Sequence, residues 1–490
     1  MTVPAERIRS VNQAPVRGDR SFVVHWMTMS RRARSNPALE RAAELGRALG
    51  RPVLVLEALR CDYPYASDRL HAFVLQGMAE NARRLAGKAL YHPWVERRPG
   101  EGRGLLEALA RHACAVVADD HPGFFLPRML EAAGKKLEVR LEAVDASCLV
   151  PFRLAGRDFP TAYAYRRFLQ RELPGWLERL PARDPLRLAP PPGRAAVPGE
   201  VRRRWPAEPP EALQRPGRLL AELPVDHCVG ACARAGGSAA AEERLSAFVR
   251  GGLGRYADLR DDPDAEGTSG LSPWLHFGHL GTFEVVRAVL SREGWTAERL
   301  SPSPRGARAG WWGTSPSAEA FLDQLVTWRE LGFVSCAMRP DHGRWESLPA
   351  WARATLEKHA RDPRPHLYSL EELAGARTGD RVWNAAQGQL LAEGTIHNSL
   401  RMLWGKRLLE WTASPQEALE RLLALNDRYA LDGRDPCSLS GILWCLGRYD
   451  RPWGPERPIF GTIRYMSSER ARRKLRLART LERYAPEPAR

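Results

Sequence analysis

The sequence lacks any run of eighteen or more apolar residues, and residues 1–20 contain no apolar stretch of the kind found in signal peptides. Neither a transmembrane helix nor a secretory leader is indicated, so we expect a cytoplasmic protein. The eight cysteines form no Cys-x-x-Cys pair, which argues against a zinc ribbon and against a disulfide framework. His227 beside Cys228 and Cys232 is a weak metal signal that chance spacing explains better. We predict no metal site.

The sequence also lacks the P-loop and the G-x-G-x-x-G fingerprint, two motifs that bind nucleotides. A bound nucleotide would therefore need another kind of binding site. What the sequence has in excess is positive charge. The 74 Lys and Arg against 58 Asp and Glu give a net charge of +16. This excess favours a polyanionic partner such as nucleic acid or anionic lipid, although a general preference for Arg on solvated surfaces would give the same balance.

The 490 residues are enough for two to four domains. The first part of the chain alternates apolar runs, typical of buried strands, with helical patterns, which predicts a Rossmann-like, doubly wound parallel sheet. After residue 242 the strand-like runs disappear and helical spacing dominates. We therefore expect an α/β domain followed by an all-α domain. The expected divisions are a flexible N-terminus (1–20), an α/β domain (21–185), a Pro/Arg-rich extended connector (186–241) and an all-helical domain (242–490).

Tryptophan is unusually frequent, with 16 residues. Trp404 and Trp411 are seven positions apart in one predicted helix, which places them roughly 10 Å apart along its axis on nearly one face. Trp383 lies in the helix before. Such residues usually belong to a hydrophobic core. Because indole is easily oxidised, a series of short gaps between these rings would also suit electron transfer to a buried redox cofactor.

Residues 267–278 are dense in Gly and hydroxyl side chains just before a predicted helix. Hydroxyls, free N–H groups and a helix N-terminus together suit a pyrophosphate. The same composition would serve as an ordinary helix cap, so composition alone leaves both interpretations open.

The order of residues within this segment narrows the choice. Thr-Ser-Gly-Leu-Ser-Pro-Trp-Leu-His-Phe-Gly (268–278) resembles the flavin-phosphate segment of the photolyase/cryptochrome family. Trp-Arg-Glu (328–330) and His-Asn-Ser-Leu-Arg-Met (397–402) resemble two further motifs of that family. The blocks at 382–387, 425–429, 431–436 and 463–466 are most similar to class II cyclobutane pyrimidine dimer photolyases. The resemblance extends from about residue 20 to 475.

The resemblance implies an α/β antenna domain and a helical domain that binds FAD. It places Asn426 near flavin N5 and makes an ion pair of Arg401 and Asp432 beside the flavin ring, where a helix-tethering salt bridge is the alternative. A neutral amide near N5 can stabilise a reduced flavin without adding a fixed charge. The residues implied to bind FAD are Tyr256, Thr268, Ser269, Leu271, Ser272, Arg329, Arg401, Asp432 and Asp435.

The resemblance also implies a light-dependent DNA repair enzyme, a deoxyribodipyrimidine photo-lyase, in which reduced FAD splits a flipped-out dimer by electron transfer. Glu330 would contact the lesion, unless it is a helix-surface carboxylate, and Trp383, Trp404 and Trp411 would relay electrons. Arg457 would bind a phosphate near the lesion. The other residues implied to contact damaged DNA are Trp328, Asn398, Met402, Trp444, Arg451, Trp453 and Arg464.

Three alternatives remain at this point. A cryptochrome-like blue-light receptor would share the flavin and the tryptophans, and a (6-4) photolyase would act on another lesion. A nonenzymatic basic nucleic-acid binder would be colourless. The expected partner is ultraviolet-damaged DNA, the expected state a monomer, and a second chromophore of the 8-hydroxy-5-deazaflavin type is suggested by the class II resemblance.

The sequence departs from the class II pattern in several places. The loop after the first strand runs His-Trp-Met-Thr-Met-Ser-Arg-Arg (25–32), which puts the antenna site in doubt. Trp328 stands where class II proteins usually have Arg, and residues 331–333 lack a second Trp. Cys437 and Ser438 replace the usual Asn-Gly close to the expected lesion site.

Overall fold

The structure is a computed structural model that describes residues 2–486. The chain divides into two compact units. Unit 1 consists of Met1–Leu154, Glu172–Ser246 and Leu271–Val289, and unit 2 of Ala155–Arg171, Ala247–Gly270 and Leu290–Arg490. Within residues 2–486, no helix combines the length and the apolar composition needed to cross a membrane.

Unit 1 contains a six-stranded sheet with the order β1-β6-β5-β2-β3-β4. Strand β1 is antiparallel to β6, and the other neighbouring strands are parallel. The chain order reverses around β2, so the carboxyl ends of β2 and β5 flank the crevice where doubly wound sheets bind ligands. The strands are β1 (Ile8–Ser10), β2 (Phe22–Met27), β3 (Val53–Leu59), β4 (Leu90–Val95), β5 (Ala113–Asp119) and β6 (Leu141–Val144).

The central strands are buried on both faces. In β2, Phe22 and Val24 pack into one hydrophobic cluster, whereas Val23 and Met27 pack into the cluster on the other face. This follows from the two-residue period of a strand, which sends successive side chains to opposite faces. Helices covering both faces explain why the strands are near-continuous apolar runs.

The α-helices of residues 2–486 surround this sheet in unit 1 and make up most of unit 2. They are α1 (Pro37–Leu49), α2 (Asp68–Leu85), α3 (Leu105–Ala110), α4 (Leu126–Gly134), α5 (Ala162–Leu177), α6 (Gly199–Arg204), α7 (Pro210–Gln214), α8 (Gly217–Ala221), α9 (Ser238–Ala247), α10 (Tyr256–Leu259), α11 (Ser272–His276), α12 (Thr282–Arg292), α13 (Pro316–Leu322), α14 (Arg329–Met338), α15 (Ala350–Lys358), α16 (Leu370–Ala374), α17 (Arg381–Glu393), α18 (Asn398–Arg407), α19 (Pro415–Tyr429), α20 (Pro436–Cys445), α21 (Ser468–Lys474) and α22 (Ala478–Tyr484).

The predicted combination of an α/β unit and a helical unit is confirmed, since all the strands of residues 2–486 lie in unit 1. The helical spacing of residues 381–393 predicts a helix there, and α17 has these bounds because local signals mark both its ends. The Asp380 carboxylate accepts the first backbone N–H groups, and Gly394, with φ of 68°, ends the helix in a left-handed conformation.

The N-terminal segment, expected to be flexible, instead contributes edge strand β1. It is held by Arg7, a buried residue whose guanidinium donates to the Cys148 carbonyl (2.8 Å) and lies over the Trp176 ring. Strand β4 was not predicted because Pro93 interrupts its pattern. Proline is tolerated there because β4 is the other edge of the sheet.

Residues 186–241 also differ from the extended connector that was expected. They contain α6, α7 and α8, and contacts place them in unit 1. Trp205 is buried and its indole N–H donates to the Glu101 carbonyl (2.8 Å), and Leu213 has no exposed surface. A few large apolar residues between the prolines therefore hold this segment against the α/β unit.

Candidate active site

Three buried tryptophans of unit 2, Trp383, Trp404 and Trp411, form a connected group that we call the tryptophan triad. They are 0%, 2% and 4% exposed. The ring of Trp383 is stacked on that of Trp404, with centroids 6.3 Å apart and planes 7° apart. It meets the ring of Trp411 edge-on at 5.4 Å. Trp383 is therefore the central member, in contact with both others.

The expectation that Trp404 and Trp411 lie on one face of a single helix is wrong. Helix α18 ends at Arg407, and a 3-10 turn, Leu408–Glu410, precedes Trp411. Because the 3-10 turn has fewer residues per turn, the seven-residue spacing does not keep the two rings aligned. The contact between them runs through Trp383 of helix α17.

Hydrogen bonds fix two rings of the triad. The indole N–H of Trp383 donates to the backbone carbonyl of Trp404, and that of Trp404 donates to the side-chain oxygen of Gln387, both at 3.0 Å. Gln387 is fully buried and lies one turn after Trp383. Its amide donates in turn to the Ala374 carbonyl (3.2 Å). The indole N–H groups of Trp383 and Trp404 thus each have an acceptor, which holds these two rings in one orientation.

The ion pair implied by the sequence is present. Arg401 of helix α18 donates to the Asp432 carboxylate (2.9 Å), and both side chains are largely buried. Half-buried Cys437 lies in the electrostatic field of both residues and of Asp435 and Arg329. Burial, reinforced by the Asp435 carboxylate, raises the pKa of Cys437 to about 12. Four of the residues implied to bind FAD are therefore gathered around one cysteine.

Asn426 is buried on helix α19, with its amide held from both ends. Its side-chain oxygen accepts from the Ser438 hydroxyl (3.1 Å), and its nitrogen donates to the Asp427 carboxylate (2.9 Å). An amide nitrogen carries two hydrogens. Within residues 2–486 the second one is not committed to a protein acceptor. The Ser438 substitution noted in the sequence therefore has a structural role, since it orients Asn426.

The hydroxyl-rich segment is divided by the boundary between the units. Thr268 and Ser269 are half-buried in unit 2, whereas Leu271 and Ser272 belong to unit 1 and are buried and exposed respectively. The helix expected behind them, α11, has only five residues. A helix this short adds little dipole, so the hydroxyl and backbone N–H groups are the better candidates for an anion.

Tyr256 and the start of helix α18 lie near the unit 2 part of this segment. The Tyr256 ring packs edge-on against Phe248 and Phe321, and burial raises the pKa of its phenol. The Ser399 hydroxyl donates to the Asp261 carbonyl (3.3 Å), which ties the start of α18 to the chain before Thr268.

Glu330 lies in the first turn of helix α14 and has no exposed surface. A π-helical turn, Asp323–Trp328, precedes it, an irregularity frequently found at functional sites. A Cβ atom at Gly332 would come within 2.6 Å of the Pro436 carbonyl oxygen, so α14 packs closely on the start of α20. Glu330 is therefore on a helix that lies beside Asp435 and Cys437. Trp328 is half-buried at the end of the π-helical turn.

Trp444 and Trp453, which we call the tryptophan pair, are half-buried and surrounded by cations. The guanidinium of Arg464 lies 5.9 Å from the Trp444 ring centroid and 5.0 Å from that of Trp453. Arg451 lies 4.3 Å from the Trp453 ring. Both arginines are exposed, as expected for phosphate contacts, but here they also stack on the indoles.

Sequence reasoning missed Lys406, the third cation of this group. Its ammonium lies 4.8 Å from the Trp444 ring and donates to the Cys445 carbonyl (3.0 Å). Burial of the whole residue lowers its pKa to about 8. A lysine in a helix is usually exposed, and only the packing of α18 against α20 reveals that this one is not.

The remaining predicted DNA contacts lie at different depths. Asn398 is exposed at the start of α18, and Met402, one turn later, is half-buried. The Met402 methyl group would lie 3.9 Å from a Cβ at Gly441 of α20. Arg457 is exposed and lies over the Tyr465 ring at 4.9 Å.

In unit 1 the crevice between β2 and β5 has a distinct feature. Asp119 at the end of β5 accepts from the backbone N–H groups of Thr28, Met29 and Ser30 at 2.8, 2.8 and 3.0 Å. Loops with successive N–H groups of this kind often bind phosphates. Here the carboxylate of the protein itself takes that position.

Comparison with known proteins shows to which family the chain belongs. No protein-family model matches it. The deoxyribodipyrimidine photo-lyase of Methanothermobacter thermautotrophicus is 32% identical over 488 residues, which cover 98% of each chain. That of Oryza sativa is 33% identical over 476 residues, covering 92% of this chain and 85% of the relative. The chain belongs to the deoxyribodipyrimidine photo-lyase family.

A solved photolyase structure agrees with this assignment. The class III photolyase of Agrobacterium tumefaciens superposes with a TM-score of 0.63 at 17% identity, covering 89% of this chain and 82% of that one. At this identity the likeness shows the photolyase fold. Family and fold are thus confirmed, whereas the class, the cofactors and the role of each site residue stay predictions.

Proposed function

We propose that the chain is a class II photolyase that binds ultraviolet-damaged DNA and splits cyclobutane pyrimidine dimers under light. The observation that carries the light-driven part of the proposal is the tryptophan triad, three buried rings with centroid separations of 5.4 and 6.3 Å, and fully buried Glu330 favours repair over a receptor. In a hydrophobic core that only needs volume, such a series of readily oxidised rings has no function. In a photolyase it provides a path for electrons to a buried flavin.

The residues around Asn426 suit FAD. Arg401 has five N–H donors, of which one is bonded to Asp432 within the described chain, so others are free for flavin oxygens or phosphate. Asn426 offers one more amide hydrogen without adding charge. The Arg401–Asp432 pair supplies neighbouring charges of both signs, and hydroxyls of the 267–278 segment can bind the pyrophosphate.

Arg401, Asp432 and Asn426 would hold FAD, which in its reduced form would supply, under light, the electron that splits the two carbon–carbon bonds of the dimer and would recover it afterwards. The chain's own residues bind the damaged DNA and orient its lesion. Glu330, away from bulk water on α14, can share its proton with the bases of the lesion, where an electrostatic interaction is stronger than in water. The tryptophan pair can stack on the flipped bases, and exposed Arg451 and Arg464 can bind flanking phosphates.

A repair assay tests this proposal. Photoreduced holoprotein is mixed with an oligonucleotide that carries one thymine cyclobutane dimer, and the recovery of thymine absorbance is followed in light and in darkness. We expect recovery in light only, and a rate about 10²-fold lower in Glu330→Gln because a group acting on the developing charge is lost. Glu346→Gln, an exposed glutamate of unit 2, is the matched control. Photoreducible FAD without recovery would contradict the proposal and direct the test to a (6-4) lesion.

We further propose a second chromophore of the deazaflavin type at the carboxyl ends of β3 and β5. Two aromatic residues there, Tyr65 and Phe124, are more than one-third exposed and have φ of 63° and 61°, a left-handed conformation that non-glycine residues rarely adopt. Phe124 packs on Phe125 at 4.8 Å, which gives a surface for an aromatic ring. An absorption band besides that of flavin, lost in Phe124→Ala, would support this, and a flavin-only spectrum after addition of the deazaflavin would overturn it.

A further inference from the structure

The tryptophan pair depends on a segment without regular structure. Between α20 and α21 lies a long stretch with only one isolated bridge, Arg457 to Gly461, and within it residues 450–464, the 450–464 loop, contain Trp453 and three arginines. Its own backbone bonds are few: Trp453 N–H donates to the Thr462 carbonyl (2.9 Å), Arg457 and Gly461 exchange a pair, and the N–H groups of Phe460 and Ile463 donate to the carbonyls of Pro458 and Phe460 (2.8 and 2.9 Å). Other parts of the chain must therefore hold its shape.

Those other contacts converge on the end of helix α15. The ring nitrogen Nδ1 of His359 lies 2.6 Å from the Asp362 carboxylate, and Nε2 lies 2.9 Å from the Glu456 carboxylate. Asp362 also accepts from the backbone N–H of Ile459 (2.8 Å). Ile459 and Glu456 both belong to the loop. His359 therefore links the loop carboxylate Glu456 to Asp362, which itself accepts a hydrogen bond from the loop backbone.

The geometry fixes the charge of this histidine. An ionised carboxylate can only accept hydrogen bonds, so both ring nitrogens of His359 must donate, and an imidazole with two N–H groups is a cation. The pKa of His359 is correspondingly raised by its bonds to Glu456 and Asp362. The pKa values of both carboxyls are lowered: Asp362 chiefly by the Ile459 N–H and then by His359, Glu456 by His359 and Lys358.

Two further contacts complete the anchor. Lys358 lies 2.9 Å from Glu456, but it is 64% exposed, so water and salt weaken this pair. Thr355 accepts from the Thr462 N–H (3.0 Å). Arg364 contributes a weaker positive field at Asp362. His359 has a side chain only 15% exposed and is the only one of these groups that bonds to both carboxylates.

We propose that protonated His359 is a positioning residue that holds the 450–464 loop in the shape that presents Trp453 and its arginines to damaged DNA. This inference rests on the proposed function of the tryptophan pair. When His359 loses its proton, one nitrogen exposes a lone pair to a carboxylate, and one of the two bonds is replaced by repulsion. The loop is then held by its buried side chains Ile459, Phe460 and Ile463, by the bonds to Thr355 and Asp362, and by the exposed lysine, without the link through His359.

The sign of the pH dependence follows from this arrangement. A histidine whose pKa is raised in the folded protein contributes its bonds below the ordinary value of 6.5 and loses them as the pH rises through its own, higher pKa. Both carboxylates are ionised throughout that range because their pKa values are lowered. Affinity for damaged DNA should therefore fall as the solution becomes alkaline.

The test measures the dissociation constant of the holoprotein for a dimer-containing oligonucleotide in darkness from pH 6 to 9. We expect the wild-type affinity to fall about tenfold across this range, the scale of one lost charge-assisted hydrogen bond. His359→Gln, which cannot supply a cation, should bind weakly at pH 6 and lack this step. His359→Arg, a permanent cation with several donors, should retain the affinity at pH 9. His112→Gln, at a half-exposed histidine of unit 1, is the matched control.

Two outcomes separate this inference from the proposed function. If no variant binds the lesion at any pH, the proposed function fails. If binding occurs and the profiles of wild type and His359→Gln are parallel, the role of His359 is refuted while the proposed function stands. Hydrogen exchange at the Ile459 amide gives a readout without DNA: we expect faster exchange in His359→Gln and wild-type protection in His359→Arg. Lys406 also titrates near the tryptophan pair, so only the difference between the profiles counts.

Discussion

Unit 2 contains two groups of tryptophans with opposite surroundings. The triad is at most 4% exposed, its rings touch one another, and two of its indole N–H groups are bonded to a carbonyl and to an amide oxygen. The tryptophan pair is half-buried, and its rings contact Lys406, Arg451 and Arg464 rather than each other. The same residue type is thus placed once mainly against other rings, with the Arg407 guanidinium 4.7 Å from the Trp411 ring centroid, and once against three cations.

This difference in surroundings indicates which function the triad suits and which function the tryptophan pair suits. Rings packed on rings in a buried environment favour passage of an electron, because little rearrangement accompanies a change of charge. Rings that carry cations at the edge of the protein suit a ligand that combines flat bases with phosphates. Substitutions in one group should therefore leave the other group's measurement unchanged, and this independence is open to test.

The largest effect is expected from Trp383→Phe. Trp383 is the only triad member in contact with both others, and phenylalanine is much harder to oxidise than tryptophan. Light-driven reduction of bound flavin should be nearly abolished, whereas the affinity for damaged DNA in darkness stays as in wild type. Flavin absorbance under illumination measures the first and an oligonucleotide titration the second.

Trp345→Phe is the matched control, because Trp345 is a half-buried tryptophan of unit 2 outside both groups. Undiminished photoreduction in Trp383→Phe would show that the triad only fills the hydrophobic core. A parallel loss of lesion binding would show that the two groups are coupled and would break the comparison.

The next effect is on stability and concerns the cation beneath Trp444. Burial lowers the pKa of Lys406 from 10.5 to about 8. The unfolded chain therefore binds more protons than the folded one between these values, and wild-type stability rises with pH across that window. Relative to Lys406→Met, which has a side chain of similar length and no charge, wild type should gain up to about 3 kcal/mol between pH 8 and 10.5.

Urea unfolding of both proteins at several pH values measures this difference, and the comparison cancels groups that titrate in both. Lys474→Met, at an exposed lysine of α21, should show no such pH dependence. A stability difference between wild type and Lys406→Met that stays constant with pH would mean that Lys406 is hydrated in solution.

How far the sequence predicts these features depends on how local their causes are. The bounds of helices α1 and α17 can be predicted from the sequence because caps such as Asn36 and Asp380 lie within three residues of the groups they bond. The triad residues could be named from the spacing of Trp404 and Trp411 and from the family motifs. The geometry that joins them could not, because α18 ends at Arg407 and the connection passes through another helix.

Features that depend on partners far away in the sequence were not predicted. His359 is bonded to a residue 97 positions away, and Lys406 to a carbonyl 39 positions away. Neither lies in a pattern that distinguishes it from a surface residue. Strand β4 was missed for a different reason: Pro93 is a local signal against a strand, and only its place at the sheet edge overrides that signal.

The smallest of the three effects is expected from Trp453→Ala. Loss of one stacking surface for a base costs about 1–3 kcal/mol, which weakens lesion binding about 5- to 150-fold. Arg464 also loses one of its two ring contacts, and any loss through its phosphate contact should remain with undamaged DNA, where phosphate contacts dominate, whereas the loss of stacking on the lesion should disappear. Flavin photoreduction should be unchanged, and Trp345→Ala serves as the control. If Trp453→Ala binds damaged and undamaged DNA equally less well, Trp453 supports the arginines rather than the lesion, and the tryptophan pair is a scaffold for phosphate contacts.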